Sequence, residues 1–143
     1  MSVSLRAFYL LREIPNVFCI VVYVPPRANK NDCISTICEH LTVVENNSPD
    51  SLKLILGDFN HCSLDDAIPN HHQVVNCNTR GDKTIDLCYS NIGNRYTSKR
   101  KPQLGGSDHN MIHLIPKHRQ KLKTERPRVP YKSKTGQRVT LIC

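Results

Sequence analysis

The sequence LKLILGDFN, at residues 52–60, joins a short apolar run to a polar end. The run at 52–56 predicts a β-strand that ends at Gly57. In an extended backbone, residues two apart project to the same side, so Asp58 and Asn60 are expected to act together. A carboxylate beside an amide can orient and activate a water molecule. Taken alone, the motif is also compatible with a Gly-Asp turn capped by a side chain, and that alternative stays open here.

The segments before this motif predict a strand and a helix. Residues 17–24 form a continuous β-branched and aromatic run that stops at two prolines, which is typical of a fully buried central strand. Residues 5–11 are predicted to be its hairpin partner. Residues 32–45 place apolar side chains three and four positions apart, which indicates a helix with Asp32 as its N-cap.

The segments after the motif predict two more strands separated by loops. Residues 60–78 are polar with little periodicity, whereas residues 83–89 alternate as a strand does. Residues 103–108 predict a loop, and residues 110–115 a final strand. The order of strands and helix predicts one layered α/β domain over residues 1–116, with polar clusters at the strand ends.

Two further segments carry titratable side chains. TIDL at 84–87 places Asp86 inside an apolar strand, where a buried carboxylate needs a partner such as a histidine. A solvent-facing position on an edge strand is the alternative. GSDH at 106–109 places Asp108 and His109 at the mouth of a strand. There the imidazole can bind a phosphate and the carboxylate a divalent ion.

These segments follow one another along the chain, after the tripeptide Tyr23-Val24-Pro25. Together they resemble the endonuclease/exonuclease/phosphatase superfamily, which includes the apurinic endonucleases and DNase I, over most of the chain. The resemblance implies a partial four-layer α/β sandwich of the DNase I type. It also implies that Asp58 and Asn60 act on the attacking water and that Asp86 holds His109.

The same resemblance implies roles for five more side chains. Tyr23 is expected to contact the phosphate region, and Asp108 to handle the metal or the leaving group. Thr79, Arg80 and Ser107 are expected to contact the substrate. These roles come from the resemblance and from no spacing or periodicity in the chain.

Several local matches narrow the resemblance to the endonuclease domain of non-LTR retrotransposons. The matching text is YVPPRAN at 23–29, LGDFNH at 56–61, TRG at 79–81, TIDLCYSN at 84–91 and GGSDH at 105–109. The resemblance implies DNA as the partner, Mg²⁺ or Mn²⁺ as the cofactor, and a reverse transcriptase domain in the parent polypeptide.

The chain departs from this family at its N-terminal side. The family takes an Asn and a metal-binding Glu from strands upstream of the Tyr-x-Pro strand, and no residue before position 17 matches them. We therefore expect the N-terminal part of the fold to be missing, the metal to be held weakly, and catalysis to be feeble or absent. Three hypotheses remain: an impaired DNA endonuclease, a non-catalytic relic that binds nucleic acid, and another phosphoesterase acting on a lipid or inositol phosphate.

The net charge of +8 is concentrated at one end of the chain. Residues 1–116 carry 11 Lys and Arg against 11 Asp and Glu, whereas residues 117–143 carry nine Lys and Arg against Glu125. Such a basic composition without aromatic clusters predicts either a solvated linker or an arm that binds nucleic-acid phosphates. We expect residues 117–143 to be a disordered tail or linker.

Cysteine usage and hydropathy indicate the compartment. The seven cysteines include no CxxC pair, which disfavours a zinc knuckle and favours a reducing environment. The apolar run at 17–24 is too short to cross a membrane, and no secretion signal is evident. We expect a nuclear or cytoplasmic protein with no membrane partner.

The remaining histidines are interpreted structurally. The pair at 71–72 is predicted to be solvated in a loop, and His113, which alternates with Met111 and Ile115, to be a packed strand residue. His61, next to Asn60, is also interpreted as a residue outside the site, with a position facing the site as the alternative.

Overall fold

The chain has a mixed α/β fold. A computed structural model describes residues 2–5, 14, 16–93 and 95–117. The elements in chain order are β1 (Ser2–Leu5), β2 (Val17–Tyr23), α1 (Lys30–Asn47), β3 (Leu52–Asp58), β4 (His72–Gln73), β5 (Asp86–Ser90), β6 (Tyr96–Gln103) and β7 (Asn110–Pro116).

The described strands form two sheets. The larger sheet has the order β1-β2-β3-β5-β4, in which β2 and β3 are parallel and the other neighbours are antiparallel. Helix α1 supplies the crossover that parallel neighbours such as β2 and β3 require. Strands β6 and β7 form a separate antiparallel hairpin. The predicted α/β class is confirmed at this level.

Two apolar clusters hold these elements in three layers. On one face of the larger sheet, Ile37 and Leu41 of α1 pack with Ile20 and Ile55. The second cluster lies on the opposite face, where the β6–β7 hairpin covers the sheet. Its principal members are Leu52, Leu54, Val75 and Cys88, with Tyr96, Ile112 and Leu114 packed against them. The larger sheet therefore lies between a helix and a hairpin.

The prediction that β2 is fully buried is wrong. The strand has sheet neighbours on both sides, and Ile20 and Val22 are buried beneath α1. On the other face, Val21 and Tyr23 are 49% and 68% exposed. The continuous apolar run predicted two covered faces, but the hairpin does not reach this part of the sheet.

Helix α1 begins earlier than predicted. Its N-cap is Asn29, whose side-chain oxygen accepts a hydrogen bond from the Asn31 N–H at 2.9 Å. Asp32 instead lies in the first turn, where its negative charge complements the helix dipole. The helix ends at Asn47, and the Ser48 N–H donates to the Val44 carbonyl.

Other predicted elements differ from the structure in identifiable ways. The antiparallel partner of β2 is residues 2–5, while most of the predicted partner at 5–11 lies outside the described residues. Strand β6 was not predicted, because its sequence YTSKRKPQ lacks an apolar alternation. The short β4 lies within the predicted polar stretch. The basic tail, from residue 118 onward, also lies outside the described residues.

His71 is buried rather than solvated, which corrects its interpretation as a loop residue. It is 7% exposed, and its Nε2 lies 3.8 Å from Glu45 Oε1. Burial lowers the pKa of the His71 imidazole, and the neighbouring Lys53 ammonium also lowers it, while Glu45 acts in the opposite direction. His113 was predicted to be packed, yet it lies on the exposed face of β7.

The buried cysteines pack as small apolar residues. Cys88 lies in the second apolar cluster, and burial raises the pKa of its thiol to about 12. A thiol with so high a pKa is an inert packing group at neutral pH. Within the part of the chain that the structure describes, no helix has the length and apolar character needed to cross a bilayer.

Candidate metal and catalytic site

Three polar side chains occupy matching positions on three neighbouring strands. Tyr23 of β2 pairs in register with Asp58 of β3, and Asp58 pairs in register with Asp86 of β5. Residues in register on neighbouring strands project to the same face of a sheet. This is the face on which the hairpin packs, because Leu54 and Cys88 project to it as well. The ends of three strands thus bring a phenol and two carboxylates into one row.

Gly57 permits the close approach of β2 and β3 next to this row. Its φ of 148° lies in a region that side-chain-bearing residues rarely adopt. A Cβ atom at this position would lie 1.8 Å from the backbone oxygen of Val22. The glycine of the Gly-Asp-Phe-Asn sequence is therefore required by packing at the position just before Asp58.

Asn60 fixes the turn that follows Asp58. Its backbone N–H donates to Asp58 Oδ1 at 3.0 Å, and its side-chain Nδ2 donates to the Val24 carbonyl at 2.8 Å. The φ of Asn60 is 49°, a left-handed conformation that asparagine tolerates well. Asp58 and Asn60 are therefore close together, as expected. The contact arises from a turn rather than from an extended strand.

Phe59 anchors the same turn to the core. Its side chain is completely buried, and its ring meets that of Tyr89 edge-on with centroids 5.7 Å apart. Its N–H donates to the Ile85 carbonyl at 2.8 Å. In the sequence Asp58-Phe59-Asn60, a core residue thus lies between two residues of the candidate site.

His109 reaches the row from the smaller sheet. Its Nδ1 lies 2.9 Å from Asp86 Oδ2 and 3.2 Å from Oδ1. Because an ionised carboxylate only accepts hydrogen bonds, Nδ1 carries the hydrogen in this pair. The His109 backbone N–H donates to Ser107 Oγ at 3.1 Å, which orders the loop before β7. The structure thus brings together the Asp86 and His109 that the sequence suggested as partners.

Asp58, Asp86 and His109 form one compact cluster. One potential ligand atom from each lies within 4.8 Å of the others, and all three side chains are partly buried. Two carboxylates and an imidazole are a donor set suited to a divalent cation. Both carboxylate oxygens of Asp86 contact His109 Nδ1, so the Asp58 carboxylate is the more accessible ligand for an ion. The residues present therefore fit a weakly held Mg²⁺ or Mn²⁺ that also uses substrate oxygens.

Asp108 lies at the edge of this cluster rather than within it. Its Oδ2 forms an ion pair with Arg80 at 2.6 Å, and its Oδ1 is 3.9 Å from His109 Nε2. Both partners of the ion pair are largely exposed, so the pair adds little stability. Its effect is geometric, because it links the loop at 79–84 to the loop before β7. A direct metal contact by Asp108 remains a prediction.

Thr79 is a structural residue, which corrects its predicted contact with the substrate. The side chain is completely buried, and its Oγ1 accepts hydrogen bonds from the N–H groups of Ile85 and Asp86, both at 3.0 Å. Its carbonyl accepts the N–H of Asn110 at 2.6 Å. Since Asn110 follows His109 directly, Thr79 connects the two sheets beside the Asp86–His109 pair. The sequence Thr79-Arg80-Gly81 alone does not predict this structural role of Thr79.

Two cavities border the site. A hollow of about 510 Å³ lies on the side of Asn60 and includes Arg80. Its other lining residues are Pro26, His61, Gly81, Asp82, Lys83 and Ile85. His61 lines this hollow beside Asn60, and its Nε2 donates to the Ala28 carbonyl at 3.1 Å. A second cleft of about 210 Å³ lies between the sheets and includes Asp86 and Asn110.

The fold and its site together define a mixed α/β protein with a carboxylate–histidine cluster at the rim of its larger sheet. Comparisons with protein-family models, curated proteins and solved structures found no match to this chain.

Proposed function

We propose that this chain is by ancestry a metal-dependent phosphodiesterase that acts on DNA, with an active site of the endonuclease/exonuclease/phosphatase type on a partial DNase I-like sandwich. Its activity is impaired, because no residue before position 17 matches the metal-binding Glu of that family. The observation that carries the proposal is the convergence of Asp58, Asp86 and His109 within one small cluster. These residues come from three separate segments and from both sheets. Their meeting is what phosphate-ester hydrolysis needs: a base, a hydrogen-bond donor and a cation site.

His109 would stabilise charge on the phosphate. The Asp86 carboxylate holds Nδ1–H, which leaves Nε2 as the atom for the substrate. With a hydrogen on Nε2, the imidazole would donate a hydrogen bond to an oxygen of the phosphate as negative charge develops there.

Asp58 would act on the attacking water. Its Oδ1 is fixed by the Asn60 N–H, so the carboxylate presents a defined position to a water molecule. The water oxygen would bond to phosphorus and Asp58 would accept a proton from the water. The bond to the leaving sugar oxygen would break, and that oxygen would take a proton from solvent. A divalent cation bound by Asp58 and phosphate oxygens would supply the positive charge that polarises the phosphate.

Two predicted substrate residues remain available for contact. Tyr23 is 68% exposed at the end of the same row, where its hydroxyl would contact the phosphate region. Arg80 lines the larger cavity and is half exposed, although Asp108 already pairs with it. The exposed Ser107 is occupied with the His109 backbone.

The test is nicking of supercoiled plasmid DNA by the full chain with Mg²⁺ or Mn²⁺. We expect slow nicking that EDTA abolishes and that Asp58→Asn and His109→Gln each abolish. Asp66→Asn, which removes an exposed carboxylate elsewhere in the chain, should behave as the wild type. Nicking that survives Asp58→Asn would reject the assignment.

A second candidate is a non-catalytic protein that binds nucleic acid, and the basic character of β6 favours it. Binding of duplex DNA without any nicking would support this function. A third candidate, hydrolysis of a lipid or inositol phosphate, would be supported by turnover of a soluble phosphomonoester under conditions where DNA stays intact.

A further inference from the structure

The two sheets differ strongly in charge. Residues 95–117, which contain the β6–β7 hairpin, carry five Lys and Arg and a single acid, Asp108. Residues 16–93, which contain α1 and most of the larger sheet, carry five Lys and Arg against nine Asp and Glu. Counting histidine as neutral, the hairpin region has a charge of +4 and the larger layer −4. The hairpin is thus the basic element of the described structure.

Strand pairing divides the hairpin residues between two faces. The inner face packs on the larger sheet through Ile112 and Leu114. The outer face contains Met111, which is 48% exposed. In register with the outer residues of β7 are two lysines of β6, because Lys101 pairs with Met111 and Lys99 with His113.

Lys101 and Lys99 lie at increasing distances from His109 along the hairpin. His109 directly precedes β7, and each strand residue advances about 3.3 Å. The Lys101 pair therefore lies about 7 Å from His109 along the strand, and the Lys99 pair about 13 Å. Successive phosphates of one DNA strand advance about 3.4 Å along the helix axis. Measured along the strand, the two lysines are thus offset from the His109 backbone by about two and four times this axial advance.

We propose that the outer face of the hairpin, through Lys99 and Lys101, binds the sugar–phosphate backbone of the nucleic acid whose target phosphate lies at His109. The choice of nucleic acid as the partner rests on the proposed function. Lys99 is exposed and Lys101 is half-buried. Lysine ammonium groups bind phosphates by displacing condensed counterions and read no base sequence. The hairpin would therefore add affinity and position, while the cluster performs the chemistry.

The test measures binding of a fluorescent duplex of about 20 base pairs by the full chain, in EDTA, between about 50 and 200 mM salt. We expect Lys99→Gln and Lys101→Gln each to reduce the slope of log affinity against log salt by about 0.9, and the double variant by about 1.8. Lys30→Gln is the matched control, because Lys30 is an exposed lysine of α1 on the opposite side of the larger sheet. Lys99→Arg should retain the wild-type slope.

Three results would overturn the proposal. The first is a salt dependence of duplex binding in Lys99→Gln and Lys101→Gln that equals that of the wild type. The second is a loss of slope in Lys30→Gln as large as in the hairpin variants. The third is that the hairpin variants lose binding to phosphatidylserine vesicles while their binding to the duplex is unchanged. Equal thermal unfolding midpoints would show that the variants are folded. Binding is measured without a divalent cation, so it does not depend on catalysis. Absence of nicking would therefore reject the proposed catalysis without affecting the test of DNA binding by the hairpin.

Discussion

Asp58 and Asp86 lie directly opposite each other on neighbouring antiparallel strands. Like charges in such a cross-strand pair are destabilising by up to about 1 kcal/mol. The compensating group is His109, which the hairpin brings to Asp86 at 2.9 Å. The larger sheet therefore carries a negative pair whose repulsion is relieved by an imidazole and would be relieved further by a cation.

This relationship predicts that a divalent cation stabilises the protein. A cation that binds the folded state alone, at a concentration of 100 times its dissociation constant, adds about 2.7 kcal/mol to the free energy of unfolding. We expect Mn²⁺ to raise the thermal unfolding midpoint of the wild type and to have much less effect on Asp58→Asn. The measurement is calorimetry with and without the ion. An equal rise in Asp58→Asn would place the ion elsewhere, and Asp66→Asn provides the control.

Removal of the Thr79 hydroxyl should weaken the connection between the two sheets. Thr79→Val leaves the buried N–H groups of Ile85 and Asp86 without their acceptor. We expect a loss of about 1–3 kcal/mol in the free energy of unfolding for each group that stays unsatisfied. Urea unfolding would measure it. Thr79→Ser keeps the hydroxyl and should lose much less, so equal losses in the two variants would contradict the hydrogen-bond explanation.

The close contact at Gly57 predicts a severe effect of adding one methyl group. Gly57→Ala combines a strained φ with a clash against the Val22 carbonyl, and each effect costs about 1–3 kcal/mol. We expect a marked fall in the unfolding midpoint and a loss of cation binding, because Asp58 would be displaced. Gly106→Ala is the control, since a Cβ there meets no atom within 4 Å. Similar losses in both variants would disprove the packing argument.

Buried His71 should make stability depend on pH. Burial lowers its pKa in the folded state below the ordinary value of 6.5, so the unfolded chain takes up a proton more readily as the pH falls through this region. The stability from neutral His71 is present above that pH and is lost as the pH falls. We expect the decline in unfolding free energy from about pH 7.5 to about pH 5.5 to be smaller in His71→Leu. An unchanged decline would reject this origin, and His113→Gln, at an exposed position, is the control.

The sequence predicted those elements whose pattern is local. Apolar runs predicted β2, β3 and β7, alternation predicted β5, and the three-to-four spacing predicted α1. Strand β6 could not be recognised, because its charged residues form a strand only through pairing with β7. The exposure of Val21 and the burial of His71 also depend on which layers cover them, and no local pattern carries that information.

The sequence predicted the residues of the candidate site but not the residues that hold them in place. Asp58, Asp86 and His109 lie in short motifs whose chemistry can be read directly. Thr79 supports the Asp86 segment through a side chain seven residues away in sequence, and its carbonyl reaches Asn110 in the other sheet. Such a connecting role is set by tertiary hydrogen bonds, which a sequence of polar loop residues does not specify.

The most direct test is anomalous diffraction from crystals of the chain grown with Mn²⁺ and a short DNA strand. The account predicts one manganese peak beside the Asp58 carboxylate, at about 2.0–2.2 Å as for similar small divalent ions, with a phosphate oxygen within hydrogen-bonding distance of His109 Nε2. A manganese ion bound away from Asp58, or a phosphate that does not approach His109, would contradict the account.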